Sequence, residues 1–183
     1  MKKNRKNKRT PAQLVQQKRF ALAVSFLAPL KEIIQKGFLF VSRRKKRKLH
    51  PFNLAMSQVL KVAITELSGV LSLDPEKAWL SDGNLPGVMV TDMQQIAGTI
   101  TVQYFGDMGF DCCWDDRVKL IAYQAEEWVA VESSVAALRR EGKVSIKIPA
   151  NLWEKDLLLY VLCHDRDGLR YARSKYLGTY QIK

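Results

Sequence analysis

The chain has little of what most active sites and cross-linked scaffolds are made from. Its 183 residues include only two histidines, His50 and His164, and three cysteines, Cys112, Cys113 and Cys163. An odd count with two cysteines adjacent gives no disulfide framework. A bridge from Cys163 to Cys112 or Cys113 is the one pairing open to it, and buried free thiols are the expected state. No apolar run reaches the ~20 residues that span a bilayer, and the stretch from Phe20 to Leu30 is about half that length. That stretch follows a positive segment, as in a secretory signal. The basic region is too long, however, and no small-x-small cleavage site comes after it, so the expected location is cytoplasmic.

Other absences narrow the chemistry. There is no glycine loop between a strand and a helix to cradle phosphates, and Gly83, Pro86 and Gly87 read as a turn before a short strand. His50 stands beside a proline and His164 beside a turn, so no Ser, His and Asp set is visible. Asp111, Asp115 and Asp116 lie near two cysteines, and Asp165 and Asp167 near Cys163 and His164. Calcium loops need five or six oxygens at fixed spacing, and Asp-x-Asp-Gly is ordinary turn chemistry. Cys112, Cys113, Cys163 and His164 offer zinc-type ligands, but neighbours on an extended strand point to opposite faces and chelate one ion poorly. We therefore expect no catalytic residue, no metal and no cofactor, and an unrecognised hydrolase is disfavoured because the acids lack partners and spacing.

Acidic side chains are missing where basic ones abound. Residues 1–48 hold 16 Lys or Arg against the single acid Glu32, net +15, whereas residues 49–183 are net −3. Such segregated charge attracts phosphate polyanions or anionic lipid by steering and counterion release. The candidate polyanion-binding residues are Lys2, Lys3, Arg5, Lys6, Lys8 and Arg9 in the first segment, and Arg43, Arg44, Lys45, Lys46, Arg47 and Lys48 in the second. Residues 1–9, almost without apolar side chains, cannot offset the entropy of ordering and are expected to be a disordered tail.

Regular structure is expected from Thr10. Thr10-Pro11-Ala12-Gln13 has the form of a capping box with proline at the first helical position. Leu14, Lys18, Ala21, Leu22, Ser25 and Phe26 then follow at helical spacing, widened by Val15, Val24 and Leu27, so an amphipathic first half leads to a buried second half. Pro29 predicts a kink, and Leu30, Ile33, Ile34 and Phe38 continue until Gly37 loosens the end. A second helix is expected from Phe52 to about Leu67, with Leu60, Ala63, Ile64 and Leu67 on its buried side.

Beyond Gly69, short apolar runs alternate with Gly, Asp, Asn and Pro, the mark of antiparallel strands. Period-2 alternation marks Thr99 to Tyr104 and Lys143 to Ile148; other strands are expected at Val118 to Tyr123, Trp128 to Val131, Leu157 to His164, Leu169 to Lys175 and Tyr180 to Ile182. Asp165-Arg166-Asp167-Gly168 reads as the hairpin turn between two of them. The four Trp and six Tyr are assigned chiefly to the core and sheet faces. The expected fold is α+β: a tail over 1–9, a helical hairpin over 10–68 with a basic loop at 43–48, and an antiparallel immunoglobulin- or fibronectin-like β-sandwich over 69–183.

Several stretches together resemble an uncharacterised bacterial family, a domain of unknown function. The strongest are Thr10-Pro11-Ala12-Gln13-Leu14, Arg19-Phe20-Ala21-Leu22-Ala23-Val24, Phe26-Leu27-Ala28-Pro29-Leu30-Lys31 and Gly37-Phe38. Weaker matches follow at Phe52-Asn53-Leu54-Ala55, Leu85-Pro86-Gly87 and Ser174-Lys175-Tyr176-Leu177-Gly178. The resemblance implies a helical front and a sandwich-like rear, with no reaction, ligand or catalytic residue. The usual Gly-rich opening of such proteins is missing here, and the basic run at Arg43 is expanded.

Two functions follow as expectations. The first is a non-enzymatic binding or assembly protein whose basic region holds a polyanion, most naturally nucleic acid, while the sandwich meets a protein partner or another copy. The second is a surface-associated adhesion module that binds carbohydrate or protein, with the basic third on anionic lipid.

Overall fold

In the computed structural model, which describes residues 10–44, 49–106 and 109–183, helices precede three antiparallel sheets. The first helix, α1 (Pro11–Leu27), opens as its sequence predicts. The Thr10 hydroxyl accepts from the Gln13 amide at 3.3 Å, and the Gln13 side chain accepts from the Thr10 amide at 3.0 Å. Pro29 converts the next turn to 3₁₀ geometry over Ala28–Leu30, and α2 (Lys31–Gly37) follows at once. Glycine at 37 permits close approach: a Cβ there would lie 2.6 Å from the Leu80 carbonyl oxygen and 2.7 Å from Ser81 Cβ. α3 (Leu39–Arg44) and α4 (Pro51–Gln58) complete the helical layer.

The expected helix from Phe52 to Leu67 is shorter than its apolar spacing implies. α4 loosens into a π-helical turn over Val59–Ala63, and the chain then becomes strand β1 (Ile64–Leu67), paired with β2 (Val70–Leu73). Ser68 and Gly69 join them with φ of 52° and 79°, the two positive values that a tight hairpin turn requires. Leu67, expected on a buried face, is instead exposed at the hairpin tip, as is Val70. The first half of α1 also departs from expectation: Leu14, Lys18 and Ala21 are exposed, and only Ala23, Phe26 and Leu27 of that helix are buried.

The remaining strands are β3 (Met89–Ile96), β4 (Thr99–Phe105), β5 (Arg117–Gln124), β6 (Val129–Glu132), β7 (Ala137–Leu138), β8 (Lys143–Lys147), β9 (Leu157–His164) and β10 (Lys175–Tyr180). One sheet runs β10-β9-β5-β6 with β7 also on β5, and another runs β3-β4-β8. Two expected strands at the C-terminal end merge differently. Over 169–174 strand pairing is reduced to the bridge of Tyr171 to His164, and the last strand starts at Lys175 and ends at Tyr180. The Asp165 to Gly168 turn is present, with the Gly168 amide donating to the Asp165 carbonyl at 3.1 Å and Gly168 at φ 67°.

β5 and β9 lie at the centre and are buried on both faces. Val118, Leu120 and Ala122 with Leu157, Leu159, Val161 and Cys163 face the second sheet, where Ile100, Val102, Tyr104, Val144 and Ile146 meet them. Ile121, Tyr123, Tyr160 and Leu162 face the helices and share a core with Phe26, Leu27, Ile34, Met56 and Ile64. Burial on both sides explains why these strands read as nearly continuous apolar runs. The architecture is thus α+β, three layers deep: helices, a five-stranded sheet and a three-stranded sheet.

A fully buried arginine closes the sheet pair. Arg139 Nε donates to Asp116 Oδ2 at 3.2 Å, Nη1 to the Gly87 carbonyl at 3.2 Å, and Nη2 to the Pro86 carbonyl and to Cys163 Sγ. The Arg139 amide donates to the Asp116 carbonyl at 2.7 Å, and the Asp116 carboxylate also accepts from the Cys113 amide. Two charges taken out of water are tolerable because each is paired and hydrogen-bonded. Asp116→Ala should therefore cost about 3–5 kcal/mol in urea denaturation, since it strands the buried guanidinium. Glu132→Ala, which removes the partly exposed pair with Lys119, should cost less than about 1 kcal/mol.

Candidate functional site

Of the twelve residues expected to bind polyanions, Arg43 and Arg44 lie within the described part of the chain, and both are exposed at the C-terminal end of α3. Positive charge is favoured there by the helix dipole. Lys2, Lys3, Arg5, Lys6, Lys8, Arg9, Lys45, Lys46, Arg47 and Lys48 lie outside the described residues. The Ser42 hydroxyl donates to the Leu49 carbonyl, so the positions flanking the basic run are fastened together. The Arg44 guanidinium sits 5.5 Å from the centre of the Phe40 ring, one helical turn back. His50 caps α4, its Nδ1 accepting from the Phe52 amide at 3.3 Å, and Pro51 takes the first helical position.

The surroundings hold no counter-charge from the same region. From Ile33 to Thr65 the sequence has no Asp or Glu and eight Lys or Arg. A recess of about 320 Å³ beside Arg44 is lined by Phe40, Val41, Gly83 and Asn84. Arginine with an adjacent ring and no nearby carboxylate of its own segment is suited to phosphate contact without base selectivity.

A second feature of the helical layer was not legible in the sequence. Arg19 reaches from α1 to the end of α4, donating through Nη2 to the Leu60 carbonyl at 2.8 Å and the Ile64 carbonyl at 3.4 Å. These carbonyls stand at and just beyond the π turn that ends the helix, where a cation is a natural cap. Beside Arg19 a cavity of about 480 Å³ opens between the two helices.

In the candidate metal group at Cys113, Asp115 and Asp116, the two carboxylates have protein partners. Cys113, Asp115 and Asp116 bring ligand atoms within 4.8 Å of one another. Asp116 is committed to Arg139 and the Cys113 amide, and Asp115 approaches Arg166 at 3.7 Å. Cys163 points between the two sheets, where burial pushes its thiol up to about 12 although Arg139 pulls the other way. His164, next along the strand, lies on the opposite side with Ile33, Lys36 and Tyr171. Of the tyrosines, Tyr104, Tyr123, Tyr160 and Tyr171 are buried, and desolvation raises all four hydroxyls above their usual range. Among the tryptophans, Trp79 lies under Arg173 at 3.7 Å, Trp114 under Arg140 at 4.3 Å, and the Trp153 indole donates to the Ile148 carbonyl.

His164 adds a pH dependence. Burial lowers its affinity for a proton, and Lys119 and Arg117 act in the same sense, against the Asp165 carbonyl that bonds Nδ1. The folded imidazole is protonated less readily than the unfolded one, so its contribution is full above about pH 6.5 and is lost as the pH falls through the lower folded value. Denaturation midpoints should fall between pH 7.5 and pH 5. His164→Gln should show a smaller fall, and an equal fall in the variant would contradict the assignment.

Among the described residues, no helix is long and apolar enough to cross a membrane. No curated protein and no solved structure matches the chain. The model of one family, a family of unknown function (DUF6266), matches residues 1–178, and the chain belongs to that family.

Proposed function

We propose that this is a non-enzymatic binding protein of the cytoplasm whose basic N-terminal region holds a polyanion, with nucleic acid as the ligand. The observation that carries the reading is the pair Arg43 and Arg44, exposed at the end of α3 where a six-residue basic run begins, in a stretch of 33 residues without an acid. Binding through such groups is driven by counterion release and reads no sequence. The tail over 1–9 supplies a further six cations.

In this reading the sheet pair, a sandwich in the immunoglobulin or fibronectin manner, meets a protein partner or a second copy. The three-stranded sheet supports that role: Met89 and Phe105 are cross-strand neighbours and both are exposed, as is Ile96 at the other end of β3. A second reading, contact with anionic lipid as part of an adhesion module, is favoured by Leu14 and Phe20, exposed on α1 on either side of Lys18.

The test is binding of purified protein to labelled single- and double-stranded nucleic acid, and to vesicles of neutral and anionic lipid, over a salt series. Affinity for nucleic acid should fall steeply with salt and show little sequence preference. Replacing residues 43–48 with Gln should lower the slope of log affinity against log salt by roughly 0.7–0.9 for each phosphate no longer neutralised. An unchanged slope would remove the loop from the interface, and binding to anionic vesicles alone would favour the lipid reading.

A further inference from the structure

The groove between α1 and α4 belongs to no part of the basic loop. Gln16, Arg19 and Phe20 form one wall, at the spacing of a single helix face. Phe52, Met56 and Leu60 supply the apolar part of the other wall, and Asn53, Ser57 and Lys61 its polar rim. The lining spans Phe52 to Lys61 of α4 and the π turn, roughly 14 Å at a helical rise, or about two and a half turns. Phe20 is 54% exposed at its edge although it lies in the middle of α1.

The charge at this groove has one sign. Among the described residues Arg19 and Lys61 line it, and no carboxylate does. Arg19 is held in place by the carbonyls at the end of the π turn, and its buried Nε has no acceptor among the described residues. A guanidinium fixed in this way is pre-organised, so an incoming carboxylate meets a side chain that has already lost its freedom. An apolar floor of helical length with cationic walls is the surface that receives the apolar face of an amphipathic helix.

No described α-helix of this chain matches the groove in charge. Among the described residues its α-helices carry Glu32 as their only acid, and the tail over 1–9 holds six cations, so neither a second copy's helical layer nor the tail matches the groove in charge. We infer that the α1–α4 groove is a docking site for an acidic amphipathic helix of a different protein, which places apolar residues at i, i+3, i+4 and i+7 against Phe20, Phe52, Met56 and Leu60, and acidic residues against Arg19 and Lys61. The site is separate from the polyanion surface and stands or falls independently of it.

The experiment uses the full chain and labelled helical peptides of about four turns, with Leu at i, i+3, i+4 and i+7 and either Glu or Lys on the polar face, read by fluorescence anisotropy. The Glu peptide should bind and the Lys peptide should not. Lys61→Glu and Asn53→Glu, both at exposed positions, should each weaken the Glu peptide about tenfold or more, and together should admit the Lys peptide. Equal binding of the two peptides, binding of neither, or a Glu peptide indifferent to both substitutions would overturn the proposal. Binding of dodecanoate in the groove with no binding of the Glu peptide would overturn it in favour of a single-chain lipid.

Discussion

Because β5 and β9 are buried on both faces, their register fixes everything on either side of them. Val118 stands opposite Cys163 and Tyr123 opposite Leu158, in an unbroken antiparallel ladder. A slip of one residue would send Ile121 and Tyr123 toward the second sheet and Leu120 and Ala122 toward the helices, exchanging two unlike cores at once. The helix-facing side is the more demanding. Phe26 meets Tyr123 edge to face with ring centres 5.3 Å apart, and the Tyr160 hydroxyl reaches the Pro75 carbonyl at 2.8 Å. Large rings leave few alternative packings for the helices laid against them.

From that platform the helical layer presents two cationic features that differ in kind. At the end of α3, the flanks of the basic run are tied by Ser42 and Leu49, and the exposed Arg43 and Arg44 stand by a recess lined by Phe40 and Val41. Between α1 and α4, charge and apolar surface are combined, and Arg19 couples the two helices through the carbonyls of the π turn. That turn serves two purposes. It leaves carbonyls for Arg19, and it releases the chain into the β1–β2 hairpin, whose Leu71 and Leu73 return to the helix-facing core.

Local chemistry was legible in the sequence, and long-range pairing was not. The capping residues Thr10 and Gln13, the disruption at Pro29, the helix end at Gly37 and the turn at Asp165 to Gly168 follow from steric and hydrogen-bonding rules acting within a few residues. The continuous apolar runs of β5 and β9 carried their own burial. By contrast, Ile64 and Leu67 extend a helical apolar pattern yet pair as a strand, because the positive-φ turn at Ser68 and Gly69 brings Val70 to Leu73 back alongside. Arg139 depends on Asp116, 23 positions away, and Arg19 on carbonyls 41 and 45 positions away. Neither leaves a periodic trace. The basic run was plain from composition, and most of it lies outside the described residues.

The helical layer and the two larger sheets share β5 and β9 and are expected to unfold as one cooperative unit. Equilibrium urea unfolding followed by two probes tests it most directly. Far-ultraviolet circular dichroism follows the helices, and in a variant with Trp79 and Trp128, which border the helical layer, replaced by Phe, tryptophan fluorescence follows Trp114 and Trp153. A shared core predicts a single transition with the same midpoint for both probes. Loss of the helical signal well before the fluorescence change would mean that the sheets fold without the helices, and would contradict the account.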